Sequence, residues 1–131
     1  RLPYRSEWIY AANSGVDSRI YPWDGDSITN ETGCYLANHL PETGNYADDG
    51  GFDLVKKDSY NPNDFGLFCM SGNAAEMVYD SKDGTVASGT AGGSWMDSAE
   101  SLKINAVDTR TGLTEAHPSV GFRVVMTYFN N

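Results

Sequence analysis

The chain has 131 residues, 40% of them hydrophobic, and eighteen acidic side chains against nine basic give a formal charge of −9. That length fits one domain and is short for two. The acidic balance excludes a nucleic-acid-binding face, which needs basic side chains against phosphate, and no apolar run reaches the length of a membrane-spanning helix.

Pro3 to Ala12, PYRSEWIYAA, predicts one short helix. Proline suits the first turn, Glu7 complements the positive N-terminal end, and Gly15 lies just past the stop. Tyr4, Trp8, Ala11 and Ala12 fall on one face, as a core stripe would. From Tyr21 to Pro62 the periodicity is lost. YPWDGDSITNETG and NHLPETGNYADDGGFD are turn chemistry throughout. An irregular stretch of that length inside a domain needs an organiser, such as a function or a metal. FGLFCM and AAEMVYD follow as short apolar segments separated by Ser71-Gly72-Asn73. Asp83-Gly84 predicts a turn before TVASG, and SWM and GFRVVMTYF predict strands. The expected class is α+β and loop-rich, with few helices, short strands and no internal repeat.

Several stretches carry candidate chemistry. DGDSITNE begins like a calcium-binding EF-hand loop, but Ile28 at the third ligand position and Thr29 at the glycine position fail it. Asn38 and Asp49, beside DDGGF, offer the amide and carboxylate oxygens that suit calcium, although acidic loops are commonly just solvated. No GxSxG elbow exists, and Ser94 in AGGSWMDSAESL has no histidine near it, so His117 would have to arrive through the fold. Acid pairs such as Asp97/Glu100 and Asp48/Asp49 are too numerous for one to be singled out as a catalytic dyad. Cys34 and Cys69 match no zinc or CxxC spacing and could pair only in an oxidising compartment. Their apolar contexts read as buried, inert thiols. Asn30-Glu31-Thr32 is a formal glycosylation sequon. The start at Arg1-Leu2-Pro3 reads as part of a longer chain.

RLPYRSEWIYAA, YPW, FGLFCMSGNAAEM and GGSW…GFRVV, in that order, resemble the formylglycine-generating-enzyme, or sulfatase-modifying-factor, family. The resemblance runs nearly end to end. It implies a modified C-type-lectin-like fold with long calcium-stabilised loops. The family normally carries a segment before its RLP motif, so residues 1–131 would be the C-terminal portion of a single domain and incomplete alone. In catalytic members a cysteine lies two residues after the aromatic of the GGS motif and a second lies five residues later. Together they hold copper(I) and oxidise a target cysteine with oxygen. Those positions here are Asp97 and Leu102. Copper(I) is soft and wants thiolate, which a carboxylate and an alkyl chain cannot replace. The two aromatics of the family's WEW segment are Ala75 and Met77 here.

The family's calcium positions carry over to Asn38, the His39 carbonyl, Asp49 and the Gly51 carbonyl for a first site. For a second they fall on the Gly72 and Ala74 carbonyls and Glu76, with Cys69 replacing an amide or carboxylate ligand. The resemblance thus implies a non-catalytic, calcium-stabilised binding or structural module with protein partners in a larger assembly. Asp97, Leu102 and His117 mark the expected partner surface. GCYLANHLPETGNYADDGGF and NPNDFGL are similar to lipoproteins of the gliding-motility and type 9 secretion apparatus, which implies an extracytoplasmic place, periplasmic or outer-membrane-associated. Two rival classes stay open. One is an oxygen-dependent enzyme of the formylglycine-generating type; an iron-dependent sulfoxide synthase would need more histidines than His39 and His117. The other is a lectin-like ligand-binding protein, for which no exposed Glu-x-Asn pair is evident.

Overall fold

A computed structural model describes residues 1–80, 89–107, 110 and 114–128. The turn expected at Asp83-Gly84 and most of TVASG lie outside the described residues.

Helix α1 spans Arg5–Asn13. Tyr4 stays extended ahead of it, and its N–H donates to the Glu7 carboxylate at 2.9 Å. Glu7 therefore serves the helix start by capping as well as by charge. Ser14 turns left-handed at φ 55 and ends the helix. Trp8 and Ala12 are buried as the helical spacing predicts, while Tyr4 is half-buried with its ring 6.0 Å from that of Tyr79.

Three short strands make one mixed sheet in the order β2-β1-β3: β1 Ala75–Val78, β2 Gly89–Ala91 and β3 Val120–Gly121. β1 pairs antiparallel with β2, Met77 opposite Thr90, and parallel with β3, Ala75 opposite Val120. Two sequence expectations change here. SWM is a turn, not a strand, and leads into a 3₁₀ turn at Ala99–Leu102. The GFRVVMTYF ladder ends at Gly121, although Val125 and Arg1 exchange backbone hydrogen bonds of 2.9 and 3.3 Å.

The core falls in two parts. Trp8, Ala12, Met70, Val78, Ala91 and Ile104 pack between helix and sheet. Tyr21, Ala37 and Leu102 form a second cluster, with Trp23 stacked on Tyr21 at 5.0 Å between centroids. With so little regular structure, side chains must hold the loops. The Asn63 amide shows how: its Nδ2 donates to the Ala11 carbonyl at 2.7 Å, and its Oδ1 accepts from Leu67 N–H at 3.0 Å. The loop before β1 is thereby fixed to the end of α1. Among the described residues no helix is long and apolar enough to cross a membrane.

Candidate functional site

The irregular middle of the chain closes on itself at Asn38 to Gly51. The Asp49 side chain is fully buried, and its carboxylate accepts from His39 N–H at 2.6 Å and Gly51 N–H at 3.0 Å. Its only ion-pair partner among the described residues is the His39 ring, 3.3 Å away. That ring also sits 3.1 Å from the Ala37 carbonyl and meets Tyr35 edge-on. Asn38 is buried too. Its Nδ2 donates to the Asp53 carbonyl at 2.8 Å, but its Oδ1 has no hydrogen-bond partner. A Cβ on Gly51 would meet that oxygen at 2.5 Å, so glycine is required for the loop to come this close. A buried carboxylate with no lysine or arginine beside it, next to an orphaned buried amide oxygen, is costly without a cation. The four predicted ligand residues thus lie in one loop, where Asn38 Oδ1 is the oxygen left without a partner.

The second predicted group is differently arranged. Glu76 on β1 is buried, and Arg123 grips it with Nε to Oε2 at 2.5 Å and Nη2 to Oε1 at 2.6 Å. Trp8 Nε1 adds a bond to Oε2 at 2.7 Å. Arg123 Nη2 also donates to the Phe68 carbonyl at 3.0 Å. The guanidinium satisfies this carboxylate by bidentate contact and leaves it no open oxygen for calcium. Of the second predicted group, Cys69, Gly72, Ala74 and Glu76, the carboxylate is thus engaged by Arg123 and Trp8.

The third location is the glycine corner from Ala91 to Leu102. Gly93 has φ 62, and a Cβ there would meet the Ser101 carbonyl at 2.7 Å, so only glycine lets the turn fold against the 3₁₀ segment. Asp97 Oδ2 accepts from Ser94 N–H at 2.8 Å and from its Oγ at 2.6 Å. Arg110 Nη2 donates to Asp97 Oδ1 at 2.8 Å and to Ser94 Oγ at 3.2 Å. Asp97 therefore has a polar partner within its own chain. Leu102 is fully buried against Tyr21 and Ala37, so it belongs to the core and not to the partner surface expected of it. His117 is half-buried and shares a 2.8 Å hydrogen bond with Ser119 Oγ rather than reaching Ser94. No nucleophile–base pair forms at this corner among the described residues.

Cys34 and Cys69 are free thiols. Cys34 is exposed, which corrects its reading as a buried thiol: the turn closed by Asn30 lifts it out of the apolar context. Cys69 is half-buried, its Sγ donates to the Lys57 carbonyl at 3.2 Å, and burial pushes its pKa up.

Residues 1–128 match the sulfatase-modifying factor enzyme 1-like domain. The chain belongs to that family. Inactive C-alpha-formylglycine-generating enzyme 2 of Bos taurus is 32% identical over 131 residues, covering 94% of this chain and 42% of that protein. Formylglycine-generating enzyme of Streptomyces coelicolor is 38% identical over 84 residues, covering 61% of this chain and 26% of its own length. Among solved structures, Treponema denticola variable protein 1 has a TM-score of 0.64 at 26% identity, covering 93% of this chain and 45% of that one. CarF has a TM-score of 0.61 at 26% identity with the same coverage. The chain spans less than half the length of each. The fold is accordingly the loop-rich α+β fold of the formylglycine-generating-enzyme type.

Within the family frame, Arg110 and Arg123 were not picked out from the sequence as site residues. Arg123 sits in the quoted GFRVV motif, but only the fold brings it onto Glu76. Nothing in the linear order pairs Arg110 with Asp97.

Proposed function

We propose that this domain is a non-catalytic, calcium-stabilised binding or structural module. The single observation that carries the reading is the state of the corner. Where catalytic relatives are expected to place a copper-binding thiol pair, this chain has a carboxylate bonded to Ser94 and Arg110 and a leucine buried in the core. Neither group supplies the thiolate that copper(I) takes. The similarity to proteins named inactive formylglycine-generating enzyme 2 supports the same reading. The enzyme alternative draws on the similarity to active formylglycine-generating enzymes, which is confined to 61% of the chain.

Calcium at Asn38, His39, Asp49 and Gly51 is part of this proposal. When bound it would neutralise Asp49 and satisfy Asn38 Oδ1, with the His39 and Gly51 carbonyls completing the protein's share of the ligands. The rest of the proposal extends the sequence similarity. The domain works in a protein assembly outside the cytoplasm, periplasmic or outer-membrane-associated, of the gliding-motility or type 9 secretion kind. Its protein partner covers apolar surface that the chain leaves open, notably Phe122, Val124, Met126 and Tyr128.

Two experiments test the reading. A cysteine-containing sulfatase peptide incubated with the protein, copper and oxygen should show no oxidation above a buffer control, and turnover would overturn it. Elemental analysis should find bound calcium, and a chelator should lower the melting temperature because ligand binding stabilises the native state. Absence of calcium together with an unmoved melting curve would remove the metal from the proposal.

A further inference from the structure

A cavity of about 370 Å³ is lined by Trp23 and Tyr60 among others. Its size falls in the range of small-molecule sites. None of its lining residues is charged, although 21% of the chain is. A charged ligand would therefore lose its water there with no counter-charge to replace it. The walls supply flat apolar faces instead, from Trp23, Tyr35, Tyr60 and Pro62.

The walls are already held in place. Trp23 is stacked on Tyr21 and donates from Nε1 to the Ser27 carbonyl at 2.9 Å. Tyr60 donates its hydroxyl to the Asp49 carbonyl at 2.6 Å. Asn30 Oδ1 receives Cys34 N–H at 2.9 Å and fixes the turn that carries the exposed thiol. A binding site whose walls are ordered before the ligand arrives loses little entropy on binding. Ser59 and Asn61 also line the cavity, and neither side chain makes a hydrogen bond to another described residue. Both are exposed at the cavity, and with the Tyr35 hydroxyl they are polar groups that can orient a ligand.

We propose that this cavity binds a small uncharged molecule with a planar ring and a hydrogen-bonding substituent directed at Ser59 and Asn61. The ring lies against the aromatic and proline faces, where flat apolar contact is favourable. The proposal does not use the lost thiol pair, and it shares with the Asn38–Gly51 loop the Tyr60–Asp49 bond that holds one wall.

The test uses indole as the uncharged planar probe, indole-3-acetate as the same ring bearing a negative charge, and methyl glucoside as an uncharged ring that is not planar. Saturation transfer from the protein is measured for each, and iodoacetamide labelling of Cys34 is timed with and without probe. Indole should show transfer and slow the labelling. Indole-3-acetate should bind at least about tenfold more weakly, a difference of about 1.4 kcal/mol. Asn61→Trp, which fills the mouth, should abolish indole transfer while leaving the melting temperature unchanged. Equal binding of the two indoles, binding of methyl glucoside alone, or undiminished transfer in a folded Asn61→Trp protein would overturn the proposal. If that variant does not fold, the comparison of the three probes on the unaltered chain decides it.

Discussion

Asp97 and Leu102 stand five residues apart in sequence and have opposite roles. Leu102 is sealed in the second core cluster, so Leu102→Ala should cost about 2–5 kcal/mol through lost transfer energy and a cavity. Asp97 looks from sequence like a surface acid whose removal would be cheap. Its side chain is instead 13% exposed and accepts from Ser94 and Arg110, so Asp97→Ala leaves the buried Ser94 hydroxyl without its acceptor. A cost of about 1–3 kcal/mol is expected. Denaturant unfolding of the two variants checks both values, and a neutral Asp97→Ala would show that Arg110 finds another acceptor. Protonation adds a second residue-scale prediction. Burial raises Cys69 from its ordinary value of 9.0, and burial, then Asp49, raises Tyr60 from 10.0. Above those ordinary values the unfolded chain releases protons that the folded chain keeps. Stability should therefore be unaffected by these groups below 9.0 and fall as pH rises beyond it. Melting temperatures across that alkaline range measure the slope, and a flat profile would contradict the shifts.

At the scale of elements, the loop from Asn38 to Gly51 shows what sequence can and cannot reveal. Its turn residues were legible, as was the need for an organiser, and the family resemblance pointed to the oxygens. What the sequence could not convey was that Asp49 would be wholly buried with no lysine or arginine at hand. Helix α1 was legible because period and capping agree: Trp8 and Ala12 are inward, and Glu7 bonds the chain at the helix start. SWM was misread because its apolar pattern favours a strand, whereas Asp97 captures Ser94 and makes a turn. The family resemblance puts the β1 carboxylate in a metal-ligand position, and the sequence does not reveal that Arg123, 47 residues away, engages it. These contacts lead to an element-scale prediction. If the proposed cation holds the loop, chelation should speed amide exchange from about Asn38 to Phe52 and leave β1 and α1, which the sheet and core hold, protected. Asp49→Ala should give the same loosening and make the chelator ineffective. Uniform loosening of the whole chain would mean that the loop and the core unfold as one unit.

Across the whole molecule the apolar surface is distributed unevenly. Phe122, Val124, Met126 and Tyr128 alternate along the last described segment and are 68%, 68%, 86% and 80% exposed. Alternation of that kind places four large side chains on one face of an extended chain. On the other hand, Arg123 and Val125 between them are tied inward, the first to Glu76 and the second to Arg1. One side of the segment is anchored and the other is bare. A contiguous bare apolar row marks a surface that something covers. Inactive C-alpha-formylglycine-generating enzyme 2 of Bos taurus and Treponema denticola variable protein 1 each match over nine-tenths of this chain and under half of their own length. The bare row should therefore make the chain self-associate. Val124→Thr combined with Met126→Thr should reduce the self-association seen by light scattering without lowering the melting temperature, because neither side chain is packed. A chain that stays monomeric at high concentration would refute the reading, since it would show that the row needs no cover.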